Sequence, residues 1–289
     1  MGLENALSEI TLVLFTSLAP SGAVSIALMA GVLLSGALAG ERAVAINKFI
    51  CIPLVVTMIG LVASATHLGS PSNALYVFSG VGRSPLSNEV FSATLFLGLT
   101  GVYWLYSFSL KPIAALQKAW LAAMMAAALA FVAFVGMAYS AETVITWNTP
   151  FGPAGIALNA LIAGPLLAQF SLHVAGWAPA DRRFGRVTLM VSAAALAGAM
   201  VCYAAQGTAL DGLANHVVSA TELVPAYGPM VAAFSVLCAG GIALFAAMLF
   251  GRVPYRTRLA VPALLSAFAG IFVMRFAFYM MHLTVGVGV

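Results

Sequence analysis

Charge is scarce in this sequence, and its scarcity decides the class of protein. Lys and Arg number 12 and Asp and Glu 8 among 289 residues, 7% in all, against 63% hydrophobic residues, and the mean hydropathy is +1.06. Ordinary soluble domains carry about 25% charged residues, so a soluble fold is excluded and the chain reads as an integral membrane protein. Long polar segments are lacking too. The longest connectors, Gly69 to Leu86 and Gly207 to Ala226, leave no room for a soluble domain, so residues 1–289 form one transmembrane domain and large extramembrane chemistry must come from a partner. Cysteine is sparse: Cys51, Cys202 and Cys238 lie in separate apolar stretches without a Cys-x-x-Cys pair, which excludes the ligand spacing of an iron–sulfur or zinc site. A cleavable leader is excluded on similar grounds. "GALAG" at 36–40 mimics a small-residue cleavage site, but the apolar run before it is too long and is flanked by Glu4 and Glu9 where a leader needs positive charge.

What the chain has in abundance is apolar runs of membrane length. A helical span needs about 20 apolar residues, and eight such stretches are present: Glu9 to Leu38, Asn47 to His67, Ser87 to Ser109, Ile113 to Tyr139, Phe151 to Val174, Phe184 to Gln206, Tyr227 to Phe250 and Leu259 to Val285. The fold class predicted is all-α, a bundle of eight transmembrane helices. Ten of the twelve basic residues, Arg42, Lys48, Lys111, Lys118, Arg182, Arg183, Arg186, Arg252, Arg256 and Arg258, follow the odd-numbered stretches. Positive loops stay inside, so both termini are placed on the outer, periplasmic side. The net charge of +4 then expresses topology and not a nucleic-acid footprint. No internal repeat of the kind found in many transporters is evident. Gly22, Ser25, Gly31, Gly36, Gly155, Gly164, Gly240 and Gly241 are assigned to close helix packing. Pro20, Pro53 and Pro165 are expected to kink their helices.

Polar groups gather at the outer ends of these stretches. His67 closes the second, Glu89 opens the third, and Arg83 lies in the connector between them. Arg275, Tyr279 and His282 follow at spacings of four and three, which would align them along one helical face. An Arg within a span costs about 2.5–3.5 kcal/mol on insertion scales, so this stripe should face protein or water. Each residue also has an ordinary reading: a cap for His67 and Glu89, a solvated loop charge for Arg83, snorkelling for Arg275, an interfacial belt for Tyr279. His173 and His216 are read as interfacial or surface residues. Only His67 and His282 share a depth, so a bis-histidine haem would need that pair. Together, an imidazole, a carboxylate and a guanidinium near a membrane face suit a quinol. Its oxidation releases two protons, each needing a partner, and a histidine that titrates near neutrality fits that task. The electrons need an acceptor that the chain lacks. The alternative is a proton-coupled small-molecule transporter lined by His67, Glu89 and Arg275, which should carry polar groups through its midplane and not at one face alone.

The stretches "THLGSP" (66–71), "PLSNE" (85–89), "GPLLA" (164–168), "AQGTAL" (205–210), "LVPAYG" (223–228) and "RFAFYMMHLTVG" (275–286) resemble, in order along the chain, the membrane anchor subunit of dimethyl sulfoxide reductase, the DmsC family. The resemblance implies an eight-helix anchor in the bacterial inner membrane, working in anaerobic respiration within a heterotrimer. An iron–sulfur electron-transfer subunit and a molybdopterin catalytic subunit would be its partners. It further implies menaquinol as the substrate bound in this chain, iron–sulfur clusters and molybdopterin held only by the partners, no metal and no haem in the anchor, and a quinol site dependent on His67 and Glu89. A polysulfide-reductase-type anchor, with a different partner and quinone direction, is the neighbouring reading.

Overall fold

The structure, a computed structural model, describes residues 1–36, 40–67, 69, 71–176 and 182–285. Leu38, the predicted end of the first span, and Leu68, Ser70 and Gly286 of the quoted motifs lie outside the described residues. Eleven α-helices are present among the described residues: α1 Gly2–Ser8, α2 Ile10–Leu34, α3 Glu41–Phe49, α4 Cys51–Thr66, α5 Pro85–Tyr106, α6 Ala114–Ala138, α7 Phe151–Val174, α8 Arg182–Leu210, α9 Ala220–Leu223, α10 Tyr227–Leu249 and α11 Thr257–Met280, with a 3-10 helix over Pro71–Gly80. Seven helical spans, counting α3 and α4 as one, have the length and apolarity to cross a membrane. The stretch predicted as the third span forms α5, whose first turns carry Ser87, Asn88 and Glu89, and it is not among the seven.

Two predicted boundaries differ for physical reasons. The stretch from Asn47 to His67 begins within α3, which starts at Glu41, and is interrupted at Ile50. Pro53 explains the break, because its ring crowds the carbonyl four residues earlier and it donates no backbone bond. The last stretch ends as a helix at Met280, not at Val285, because the segment after it turns to pair with the loop following α6.

The central element is α2, which packs on α4, α6, α7 and α11. Small residues make those approaches close, as lipid gives helices no hydrophobic reason to associate. A Cβ at Gly22 would stand 2.8 Å from the Pro53 carbonyl oxygen of α4, and one at Gly164 of α7 2.7 Å from Val24 Cβ. Gly155 and Gly241 likewise abut Tyr203 and Ala263. Gly240, in contrast, faces open space, and Gly36 lies in the turn after α2 at φ +66°, so neither serves packing. Three buried hydroxyls of α2 are satisfied within the helix: Thr16 donates to Leu12 O at 2.8 Å, Ser17 to Val13 O at 2.7 Å and Ser21 to Ser17 O at 2.9 Å, whereas those of Thr11 and Ser25 have no partner.

The connectors segregate to two ends. At one, the Tyr103 hydroxyl donates to Asn47 Oδ1 at 2.9 Å, the Trp104 indole to Lys48 O at 2.9 Å, and His173 lies 4.1 Å, centroid to centroid, from Tyr255. The basic connectors cluster at this end. The other end gathers the start of α2 with the ends of α4, α6, α8 and α11, and it holds the candidate residues.

Candidate functional site at one end of the bundle

His67 caps the C-terminus of α4, its N–H donating to Ser64 O at 3.0 Å. Its Nε2 lies 3.2 Å from Glu9 Oε2, with the two side chains 41% and 28% exposed. Glu9 occupies the joint between α1 and α2, where its carbonyl accepts from Leu12 N at 2.9 Å and Val13 N at 3.0 Å. The start of α2 thus delivers a carboxylate directly to the end of α4.

Glu89 is set by a different device. Ser84 is the N-cap of α5, its hydroxyl accepting from Ser87 N at 3.4 Å, and Pro85 starts the helix. This chemistry is favourable at helix starts, and it turns Glu89 into the bundle, where it is 5% exposed. Among the described residues its carboxyl group has no hydrogen-bond partner. Its charge reaches Tyr139, the residue closing α6. Burying a lone carboxylate is costly unless it is paired or neutralised.

Arg275 is 2% exposed. Its Nε donates to Thr16 Oγ1 at 2.9 Å, and its guanidinium carbon stands 4.1 Å from the Phe278 ring centroid, 5.5 Å from Tyr279 and 5.7 Å from Tyr139. Aromatic faces thus do part of the work a carboxylate would do for this cation. Two donors remain over: Arg275 Nη2 and Tyr279 Oη are buried without a hydrogen-bond partner. Tyr279 lies beside Tyr139, Thr16 and Arg275, yet none meets its hydroxyl at hydrogen-bonding geometry. Orphan donors in a protein interior call for an acceptor.

His282 does not share the helical face of Arg275 and Tyr279, because α11 ends before it. Instead its ring lies 4.8 Å from that of Trp147, which itself stacks on Phe278 at 4.8 Å and donates to Phe278 O at 3.0 Å. The tail is held by Ile145 N to Leu283 O at 2.8 Å, Val285 N to Thr143 O at 3.1 Å, and the Thr146 hydroxyl to Met281 O. Partial desolvation lowers the His282 imidazole below its ordinary value, and the Glu9 carboxylate pulls it the other way. Glu9 therefore acts on both His67 and His282.

Arg83 is exposed and bonds its own turn, donating from Nη2 to Ser79 O at 2.9 Å; no contact among the described residues joins it to the other candidates. His216 is exposed in the loop after α8. A groove of about 320 Å³ between α8 and α10, lined by residues including Tyr203, Asp211 and Tyr227, contains none of the candidates. The structure joins Arg275 with Tyr279 directly and relates Glu89 to them through Tyr139. It pairs His67 with Glu9, an acid that the sequence pattern alone does not single out. Glu9, Thr16, Tyr139 and Trp147 are the additions. None carried a local signal: Thr16 is one of five hydroxyl residues along α2, with Thr11, Ser17, Ser21 and Ser25.

A helical bundle with several membrane-length helices, whose buried charges Glu89 and Arg275 share one end, defines a multi-pass membrane subunit with a one-sided polar site. The chain belongs to the DMSO reductase anchor subunit (DmsC) family, whose model matches residues 3–281. It is 36% identical over 241 residues to the C subunit of anaerobic dimethyl sulfoxide reductase from Escherichia coli strain K12, covering 81% of each protein. It is 32% identical over 232 residues to the anaerobic dimethyl sulfoxide reductase subunit YnfH of the same organism, covering 80% of each. The corresponding C subunit from Haemophilus influenzae is 29% identical over 287 residues, 98% of each.

Proposed function

We propose that this protein is the quinol-oxidising anchor of a heterotrimeric molybdopterin reductase in the bacterial inner membrane, delivering electrons from menaquinol to an iron–sulfur subunit. In this reading α5 is the eighth span, both termini face the periplasm, and the partners dock at the outer end. The anchor itself carries neither metal nor haem.

The observation that carries the reading is the pair of buried orphan donors, Arg275 Nη2 and Tyr279 Oη, in the same end of the bundle as a buried carboxyl and a partly exposed imidazole. A quinol oxygen is the acceptor those donors need, and it reaches them from the bilayer. Arg275 and Tyr279 hold one oxygen of the ring and stabilise the negative charge that grows as its proton leaves. His67 takes the proton of the other hydroxyl, a step within hydrogen-bond reach of a general base. Glu89, buried beside Tyr139, carries the proton from the Arg275 side. His282 and Arg83 form the rim. The two electrons pass to an iron–sulfur centre of the partner.

A proton-coupled transporter fits less well. A transport path needs polar groups at the midplane and toward both faces, and the two buried charges among the described residues, Glu89 and Arg275, share one end.

The test is quinol-driven turnover of the assembled complex carrying His67→Ala. Turnover is expected to vanish while reduction by a soluble artificial donor, which bypasses the anchor, persists. Undiminished quinol activity in that variant would sink the assignment.

A further inference from the structure

We propose that Glu9 is the proton acceptor behind His67, a positioning and relay residue that completes the quinol site. The inference rests on the quinol-oxidising function proposed for this end of the bundle and names the residue through which that site discharges its proton.

Three observations carry it. Glu9 Oε2 and His67 Nε2 are 3.2 Å apart, at ion-pair distance between the joint of α1 and α2 and the end of α4, and that oxygen has no hydrogen-bond partner, so its acceptor capacity is unspent. The oxygen that faces His67 is itself shielded from solvent, whereas the Glu9 side chain as a whole is 28% exposed. The carboxylate therefore meets the imidazole on one side and water on the other. Its position is fixed by backbone geometry, since its carbonyl caps the first turn of α2. Nearby on that side, the α-amino group of Met1 and Glu4 pair with each other at 3.0 Å, and His282 from the tail of α11 feels the Glu9 carboxylate.

With Nε2 turned to Glu9, Nδ1 is the nitrogen left for the substrate. The O–H bond of the quinol breaks and its proton goes to Nδ1. The Nε2–H bond breaks and that proton goes to Glu9 Oε2, leaving a neutral imidazole. Glu9 releases the proton to water at the outer face. Each electron leaves to the iron–sulfur centre of the partner, and the second hydroxyl proton leaves by the Glu89 side.

Gln at this position keeps an acceptor for Nε2–H but cannot take its proton. In complexes assembled with Glu9→Gln, kcat for quinol oxidation is expected to fall about 100-fold, the low end of general-base contributions. KM should stay within about twofold, because an interaction used only in the transition state is lost. Glu9→Asp should recover part of the rate, and formate should restore turnover to Glu9→Ala. Artificial-donor activity reports assembly in each case. Full kcat in Glu9→Gln alongside an inactive His67→Ala would overturn the relay and leave the quinol site standing. Full activity in both would remove the site and the relay together. If Glu9→Gln fails to assemble, Glu9→Asp decides: a raised solvent deuterium isotope effect supports the relay, and the wild-type value refutes it.

Discussion

Arg275→Met separates a functional cation from a structural one, because the two roles predict opposite signs for stability. Arg275 is 2% exposed and no carboxylate pairs with it among the described residues. Its compensation is one hydrogen bond to Thr16 and the faces of Phe278, Tyr279 and Tyr139. Losing a desolvated cation–π contact costs about 2 kcal/mol, and a charged hydrogen bond about 1.5–3 kcal/mol. Against this, the effective penalty of burying an ion is several kcal/mol, and apolar replacement of buried ionic groups is often neutral or stabilising. Met follows the path of the Arg stem, and Thr16 keeps its bond to Leu12 O. The folded complex should therefore be as stable as the wild type or more so.

Quinol binding should move the other way. An Nη2–H bond to a quinol oxygen, at about 1.5–3 kcal/mol, corresponds to binding weakened by about 10- to 150-fold at 1.4 kcal/mol per tenfold. The assay is titration of the detergent-purified complex with a tail-shortened menaquinol analogue under anaerobic conditions, alongside thermal unfolding of the same sample. Arg275→Lys should fall between, since it retains charge but loses the planar fork. A Met variant that binds the analogue like the wild type, or one that melts well below it, would refute the reasoning.

Three further outcomes follow from the geometry. Gly22→Val should destabilise by about 1–3 kcal/mol through overpacking, because its Cβ alone would come within 2.8 Å of Pro53 O; thermal unfolding and assembled yield measure it. His282 binds its proton less readily when folded, the sense set by desolvation, so below the ordinary value of 6.5 the unfolded chain holds more protons than the folded one. Stability should then decline as pH falls through that value, and His282→Gln should flatten the decline in a melting series from pH 8 to pH 5, a range of about three units around the ordinary histidine value. Finally, protons and electrons that leave on one side move no net charge across the bilayer. A voltage-sensitive dye should stay silent during turnover in sealed vesicles holding only this complex.

Most of the fold was legible because the spans are long and apolar, and apolar length is a property of contiguous sequence. The stretch Phe151 to Val174 is reproduced residue for residue in α7. The differences at the boundaries have two causes, one distant in sequence and one local. The end of α11 could not be read from its own hydropathy, since Leu283 and Val285 leave the helix to bond Ile145 and Thr143. The break at Ile50 lies three residues before Pro53, the residue expected from the sequence to kink this stretch; apolar content alone does not place it.

The site divides along the same line. Arg275 and Tyr279 were legible as a pair because a spacing of four is local, and both reach one buried cluster. His282 was placed with them by continuing that helix past its true end, so the spacing argument was sound and its premise was not. Glu9 was visible only as an acid flanking the first apolar run, since nothing in its neighbourhood distinguishes it from Glu4. What distinguishes it is the joint between α1 and α2, which turns one acid toward His67 while Glu4 pairs with the protein's own terminal amine at the surface. A site assembled at the ends of separate helices is specified by their packing. Here that packing runs through α2, whose close approach to α4 at Gly22 brings Glu9 to His67, and whose contact with α11 brings Thr16 to Arg275. The glycine that admits α4 and the acid that meets His67 are thirteen residues apart on one element, so a shift of α2 against α4 would disturb the helix packing and the proton path together.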